Sequence, residues 1–246
     1  MQNKGICTLS VVPVRKMPDS TSEITTQLLF GDQYVINKIE EEWIEITTIT
    51  DNYTGFISKK QSSNYNDEIM EWEVNTSFPF AVLRCNLGLL YIPAGATLPA
   101  NNTFTLGNIT FTKEKSIQIE TQPIANIAKN YLNTPYLWGG KTFMGIDCSG
   151  FTQMVFKQYG INIPRDAYQQ AELGKTIQFI EEGKTGDLAF FDNLEGKITH
   201  VGILLNNSTI IHASGKVRID RIDHFGILPN ESNNYSHKLR IIKRII

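Results

Sequence analysis

Cys148 stands between Asp147 and Ser149 in the run I-D-C-S-G-F, behind the glycine-rich approach P-Y-L-W-G-G-K, at the head of a stretch with helically spaced apolar residues. In the first turn of a helix the backbone N–H groups lack intrahelical partners, and the positive end of the dipole favours an anion. A thiolate is such an anion. A helix tip with an imidazole beside it lowers a thiol pKa from about 8.5 to roughly 3.5–7.5 and makes the sulfur nucleophilic at neutral pH. A lone cysteine is also commonly just a small buried hydrophobe, so the histidines decide between the two readings. The chain has four, at 200, 212, 224 and 237, and His200 and His212 lie in two strand-like runs joined by Asn206-Asn207-Ser208. If those three residues form the loop, Leu205 pairs with Thr209 and Gly202 with His212. His200 and His212 are then diagonal neighbours on one face, about 7–8 Å apart between backbones. A loop of even length would place them on opposite faces. In the same-face arrangement His200 takes the thiol proton and His212 orients His200 through its other ring nitrogen.

The elements that must hold these residues read as an α+β domain over 122–246. Ile124, Ile127, Ala128, Tyr131 and Leu132 are helically spaced after a possible cap at Thr121, with Pro123 suited to the first turn. A second helix covers 148–159 and ends at Gly160, and a short one runs from Asp166 to Leu173. Strands follow at 187–191, 200–205, 209–213 and 239–246, and helices succeeded by a run of strands define this class. Residues 1–63 read instead as a small all-β barrel, with β-rich runs at 33–39 and 43–46 separated by turn residues. Residues 64–121 continue in short strands broken by Pro93, Gly95, Pro99 and Gly107, with Phe78, Phe80, Leu90, Tyr91 and Phe104 expected in a core.

In order and spacing, P-Y-L-W-G-G at 135–140, D-C-S-G-F at 147–151, G-D-L-A-F-F at 186–191, H-V-G-I at 200–203 and I-H-A at 211–213 resemble the NlpC/p60 family of papain-like cell-wall cysteine peptidases. S-E-I-T-T-Q-L-L-F-G-D at 22–32 and D-N-Y-T-G-F at 51–56 resemble the bacterial SH3-like domains that precede such catalytic domains. The resemblance implies one or two SH3-like barrels, the second divergent, ahead of a papain-like domain. It implies Cys148 as nucleophile, His200 as base, His212 as the orienting third residue, and Tyr136 as an oxyanion donor beside the Cys148 amide. Members of this architecture cleave the γ-D-glutamyl-L-diamino acid bond of stem peptides whose L-alanine amine is free. The amine would meet Asp147, Ser149 and Asp166 near the cysteine, and Glu23 and Tyr53 in the first barrel, because a cation calls for carboxylates. Asp147 is equally suited to capping the helix. Thr185 replaces the proline usual before G-D-L, and Phe56 replaces a tryptophan.

The net charge of -2 offers no field for nucleic acid or anionic lipid. Three cysteines without C-x-x-C spacing suggest a reducing compartment and no metal, and no cofactor is expected. The opening residues carry no apolar leader, so the expected location is cytoplasmic unless a leader has been removed, with soluble muropeptides of a recycling pathway as substrate and no membrane partner. The sequence leaves the oligomeric state open. A non-catalytic wall-binding module, or an amidase or acyltransferase with the same Cys-His pair, are the other readings.

Overall fold

The computed structural model describes residues 3–65, 70–114 and 122–246. Its contacts divide it into two compact units: residues up to 121 together with Trp138–Thr142, and Gln122–Leu137 together with Phe143–Ile246. Among the described residues no helix is long and apolar enough to cross a membrane.

The first unit begins with β1 (Lys4–Ile6), β2 (Val11–Arg15), β3 (Ile24–Leu29), β4 (Gln33–Ile39), β5 (Trp43–Thr48), β6 (Thr54–Ser58) and β7 (Asn64–Tyr65), in one sheet ordered β3-β2-β6-β5-β4-β1-β7. Period-two alternation puts Val12 and Val14 of β2, Ile44 and Ile46 of β5 and Ile57 of β6 on the inner face, with Cys7, Leu28 and Tyr34. Cys7 is therefore packing material.

Six more strands follow: β8 (Trp72–Val74), β9 (Phe80–Cys85), β10 (Gly88–Pro93), β11 (Thr97–Pro99), β12 (Thr103–Leu106) and β13 (Ile109–Lys113). They form a four-stranded sheet ordered β10-β9-β13-β12 and a separate β11-β8 pair. This part shares a core with the first sheet, because Phe30 packs edge-on against Phe104 and Phe111 at 6.3 and 5.2 Å. The sequence reading placed Phe80 and Tyr91 inside as well. They are exposed and meet edge-to-face, ring centroids 5.2 Å apart. Phe80 sits one position before Ala81, and Ala81 and Leu83 are the β9 residues that point inward, so period two carries Phe80 outward.

The Trp138–Thr142 segment closes onto the first sheet. Trp138 Nε1 donates to Glu23 Oε1 at 2.8 Å and the Lys141 amide donates to Gln27 Oε1 at 2.8 Å. Gly139, at φ +77, lies where a Cβ would come within 2.3 Å of the Ile24 carbonyl oxygen. Only glycine combines that backbone angle with that approach.

The second unit holds α1 (Ile124–Asn130), α2 (Cys148–Gln158) and α3 (Ala167–Gln170); between α1 and α2 the chain forms the two-residue strands β14 (Lys141–Thr142), which falls in the first unit, and β15 (Gly145–Ile146). Thr121, the expected cap of α1, lies outside the described residues, and Pro123 takes the position before the helix. Then come β16 (Lys175–Ile177), β17 (Leu188–Asp192), β18 (Ile198–Asn206), β19 (Thr209–Ser214), β20 (Lys216–Ile222), β21 (Gly226–Leu228) and β22 (His237–Arg244). The sheet runs β16-β22-β17-β18-β19-β20-β21, and β21 also pairs with β22, so six strands close on themselves. Ala189, Phe191, Leu204, Ile210, Ile222 and Ile242 form one core cluster of this sheet. Every residue of α2 is buried, which accounts for the density of Phe151, Met154, Val155 and Phe156 in so short a helix.

Candidate active site

Asp147 is the N-cap of α2. Its Oδ1 accepts from the Gly150 amide at 2.7 Å, which puts Cys148 at the first helical position. The carboxylate is also clamped by Arg165, whose Nη1 and Nη2 reach Oδ1 and Oδ2 at 3.0 and 2.5 Å. Arg165 Nη1 donates to Ser149 Oγ as well, at 2.8 Å, and the guanidinium is 1% exposed. The cap that the sequence reading weighed against amine binding thus comes with a buried counter-cation. Ser149 is part of the same clamp, and its carbonyl accepts from Gln170 Nε2 at 3.1 Å. Asp166 caps α3 in a capping box with Gln169.

His200 and His212 face one another across two adjacent strands, β18 and β19. Gly202 pairs with His212, as the sequence reading has it, but by another route. The loop is two residues long, with Asn206 opposite Thr209, and a bulge between Leu204 and Asn206 restores the register that an even loop alone would lose. Gly202 keeps this face open: a Cβ there would stand 2.8 Å from that of His212. His200 Nε2 and His212 Nδ1 are 2.9 Å apart, and His212 Nε2 lies 3.0 Å from Asp220 Oδ2. Asp220 is 1% exposed and accepts also from Arg218 Nη2 at 2.8 Å and from the Asn230 amide at 3.1 Å. Burial opposes its charge, but those hydrogen bonds together hold its carboxyl well below the ordinary carboxylate range.

The sulfur of Cys148 rests against the backbone on either side of His200, 4.0 Å from the Thr199 carbonyl oxygen and within reach of the Val201 amide. The sequence reading expected a thiolate here. Burial instead pushes the thiol up to about 11, reinforced by the Asp147 charge, with the Val201 amide and Arg165 pulling the other way. His200 is driven well below 6.5, first by burial and then by His212 and His237. Desolvation outweighs the helix tip, so at neutral pH the pair rests as thiol and neutral imidazole. The arrangement suits general-base attack, in which the sulfur becomes anionic only as its proton moves to His200.

A cleft of about 270 Å³ opens over this face, walled by Tyr136, Thr199, His200, Gly215 and His237. Tyr136 is half-buried and its amide donates to the Gly215 carbonyl at 2.9 Å. Burial, then the Cys148 and Asp147 charges, raise its phenol, so it remains a proton donor. Glu23 and Tyr53 belong to the first unit. Glu23 is exposed and lies between Trp138 Nε1 and Lys16 Nζ, the latter at 3.4 Å; Tyr53, partly buried, accepts from the Thr48 amide through its carbonyl. Among the described residues no group of three or more His, Cys, Asp or Glu has the geometry to hold a metal ion.

Three residues were missed from sequence: Arg165, Asp220 and His237. Asp220 had a readable signal, because V-R-I-D-R-I after Gly215 is rich in β-branched residues and places the aspartate two positions past the partner of His212. His237 stacks on His200 with centroids 4.1 Å apart and planes 25° from parallel. Burial lowers its pKa to about 4, His212 adding to the effect and Asp220 opposing it. Protons therefore bind the unfolded chain first, and stability present above about pH 6.5 is lost as pH falls toward 4. His200 acts in the same direction. His237→Phe, which keeps the stack, is expected to flatten part of this slope, as read from urea midpoints at about pH 7.5 and 4.5.

A match to the NlpC/P60 family spans residues 133–231, and one to the bacterial dipeptidyl-peptidase SH3 domain spans 14–61. The chain thus carries an NlpC/P60 domain, with a bacterial dipeptidyl-peptidase SH3 domain ahead of it. It is similar to the gamma-D-glutamyl-L-lysine dipeptidyl-peptidase of Bacillus subtilis, at 29% identity over 77% of this chain and 72% of that protein. The Bacillus cereus protein of the same name is 26% identical over 79% of this chain and 68% of its own length. The fold matches the crystal structure of a Bacillus cereus NlpC/P60 family protein, at a TM-score of 0.82 and 22% identity, covering 98% of this chain and 99% of that one.

Proposed function

We propose that the protein hydrolyses the γ-D-glutamyl-L-diamino acid bond of peptidoglycan stem peptides bearing a free N-terminal L-alanine. The observation that carries this reading is the His200–His212 contact of 2.9 Å on the strand face against which the Cys148 sulfur rests. Two relatives similar over most of their length bear the name of that dipeptidyl-peptidase activity. In the reaction the Cys148 sulfur attacks the γ-carbonyl of D-glutamate as its proton passes to His200. The protonated His200 gives that proton to the departing amine of the diamino acid, leaving a thioester. Water, deprotonated by His200, then releases the dipeptide and restores the thiol. Tyr136 and the Cys148 amide are the donors proposed for the oxyanion, each of a type that gains strength in a dry site. A free alanine amine exists only after the stem has left the glycan, so the proposed substrate is a released fragment, as recycling would supply. A wall-binding module would have no use for a buried His–His–Asp line behind a cysteine.

Mass spectrometry of products from L-Ala-γ-D-Glu-L-Lys and from its N-acetylated form tests the reading. Cleavage before lysine in the free peptide, and at least about tenfold less in the blocked one, is expected, since a desolvated cation contact contributes about 1.5–3 kcal/mol. Equal cleavage of both would remove the amine-reading roles proposed for Asp147, Ser149 and Asp166. Failure to cut either would move the function to an amidase or acyltransferase.

A further inference from the structure

We propose that Asp220 is a positioning residue that fixes the tautomers of both histidines, so that His200 presents an unprotonated Nδ1 to the Cys148 thiol. The inference rests on the peptidase reading above and adds a fourth member to its proton path.

Asp220 has no proton to give: Oδ1 accepts from Arg218 Nη2 and the Asn230 amide, and Oδ2 faces Arg218 Nε at 2.6 Å as well as His212 Nε2 at 3.0 Å. His212 must therefore carry its hydrogen on Nε2, which leaves Nδ1 as an acceptor. Nδ1 is the atom 2.9 Å from His200 Nε2, so His200 must carry its hydrogen on Nε2. The remaining nitrogen of His200, Nδ1, is then the base. Three residues from β18, β19 and β20 thus transmit one constraint from a buried carboxylate to the proton acceptor. When the thiol proton reaches Nδ1, the His200 cation is stabilised through the same two hydrogen bonds by the Asp220 charge. The other ionisable groups around this line are His237, stacked on His200, and Arg218, whose second partner is Glu231. Arg218 holds Asp220 ionised, and His237 has no bond to either relay nitrogen among the contacts seen, its Nδ1 pairing with Ser236 Oγ at 2.8 Å.

The constraint makes a specific forecast for Asp220→Asn. The new amide NH₂ is worst placed at the Oδ1 position, where two hydrogen bonds converge, whereas Arg218 Nε makes no hydrogen bond to Oδ2, so the NH₂ faces His212 Nε2. It then donates to that nitrogen. His212 moves its hydrogen to Nδ1 and donates to His200 Nε2, and His200 is left with Nδ1–H pointing at the thiol, unable to accept from it. We expect kcat to fall about 10²–10³-fold with KM changed less than about threefold, the pattern of a lost transition-state interaction.

The test reads the tautomers directly, by histidine ¹⁵N chemical shifts and long-range ¹H–¹⁵N couplings in the full chain carrying Cys148→Ala, with and without Asp220→Asn. In the Cys148→Ala protein, hydrogens on Nε2 of both His200 and His212 are expected; a hydrogen on Nδ1 of either overturns the proposal without any need for the second variant to fold. With Asp220→Asn added, both hydrogens are expected on Nδ1. Unchanged tautomers together with unchanged kcat in the single Asp220→Asn protein would also overturn it. Tautomers as forecast in a protein that hydrolyses no stem peptide would uphold the relay and instead remove the peptidase reading.

Discussion

Cys148→Ala is expected to lower kcat at least about 10⁴-fold on L-Ala-γ-D-Glu-L-Lys while leaving substrate affinity and the folded state largely intact. The loss is large because the sulfur is the atom that forms the covalent intermediate, and the remaining relay would have to activate water from a geometry set for a thiol. Stability should change by less than about 1 kcal/mol, since only one atom is removed from a site that retains a small exposure of 7%. Isothermal titration with the tripeptide and thermal melting separate the two effects. Residual activity above a few per cent would place the chemistry elsewhere.

Arg165→Met carries the largest expected effect on stability. The guanidinium is the buried counter-charge of Asp147, held by two hydrogen bonds to its carboxylate and one to Ser149 Oγ. Removing it leaves a carboxylate 6% exposed beside the thiol. Breaking one side of a buried pair costs about 3–5 kcal/mol, which for a unit of this size corresponds to roughly 10 °C or more in Tm. Because Asp147 caps α2 and places Cys148, kcat should fall along with stability. Adding Asp147→Asn should recover a substantial part of the stability, because the amide oxygen can still accept from Gly150 and no net charge remains buried. A single variant as stable as the parent, by urea denaturation, would show that the ion pair contributes nothing.

The parts of this site that were legible in sequence are those governed by local rules. Asp147 before a helical run is a cap signal, and the structure uses it as one. The His200–His212 facing came from strand parity, and the pairing of Gly202 with His212 emerged even though loop and bulge each departed from the assumed geometry. Bulges leave little trace in a sequence, so that agreement owed something to two changes of parity cancelling. Arg165 was not legible because its partner lies 18 residues away and only packing brings them together. The parity signal that marks Asp220 is masked by the charges at 216, 218 and 221, which make β20 look like a surface segment although Val217, Asp220 and Ile222 are buried. The ionisation of Cys148 was misread for a related reason. The helix tip that stabilises a thiolate is visible in the order of residues, whereas the depth of burial that opposes it depends on β18 lying across the sulfur. Similarly, Phe80 and Tyr91 look like core residues by type, and only the register of β9 and β10 turns them outward.

The proposed reaction depends on a bond forming between the Cys148 sulfur and the γ-carbonyl of the substrate. Rapid-quench mass spectrometry of the intact protein mixed with excess L-Ala-γ-D-Glu-L-Lys, followed by mapping of the cysteine peptides, observes that bond. The predicted result is a transient mass increment equal to the alanyl-glutamyl acyl group, confined to the peptide that holds Cys148 and absent from those holding Cys7 and Cys85. Steady release of lysine with Cys148 unmodified at every quench time, and the same release from the Cys148→Ala protein, would contradict it.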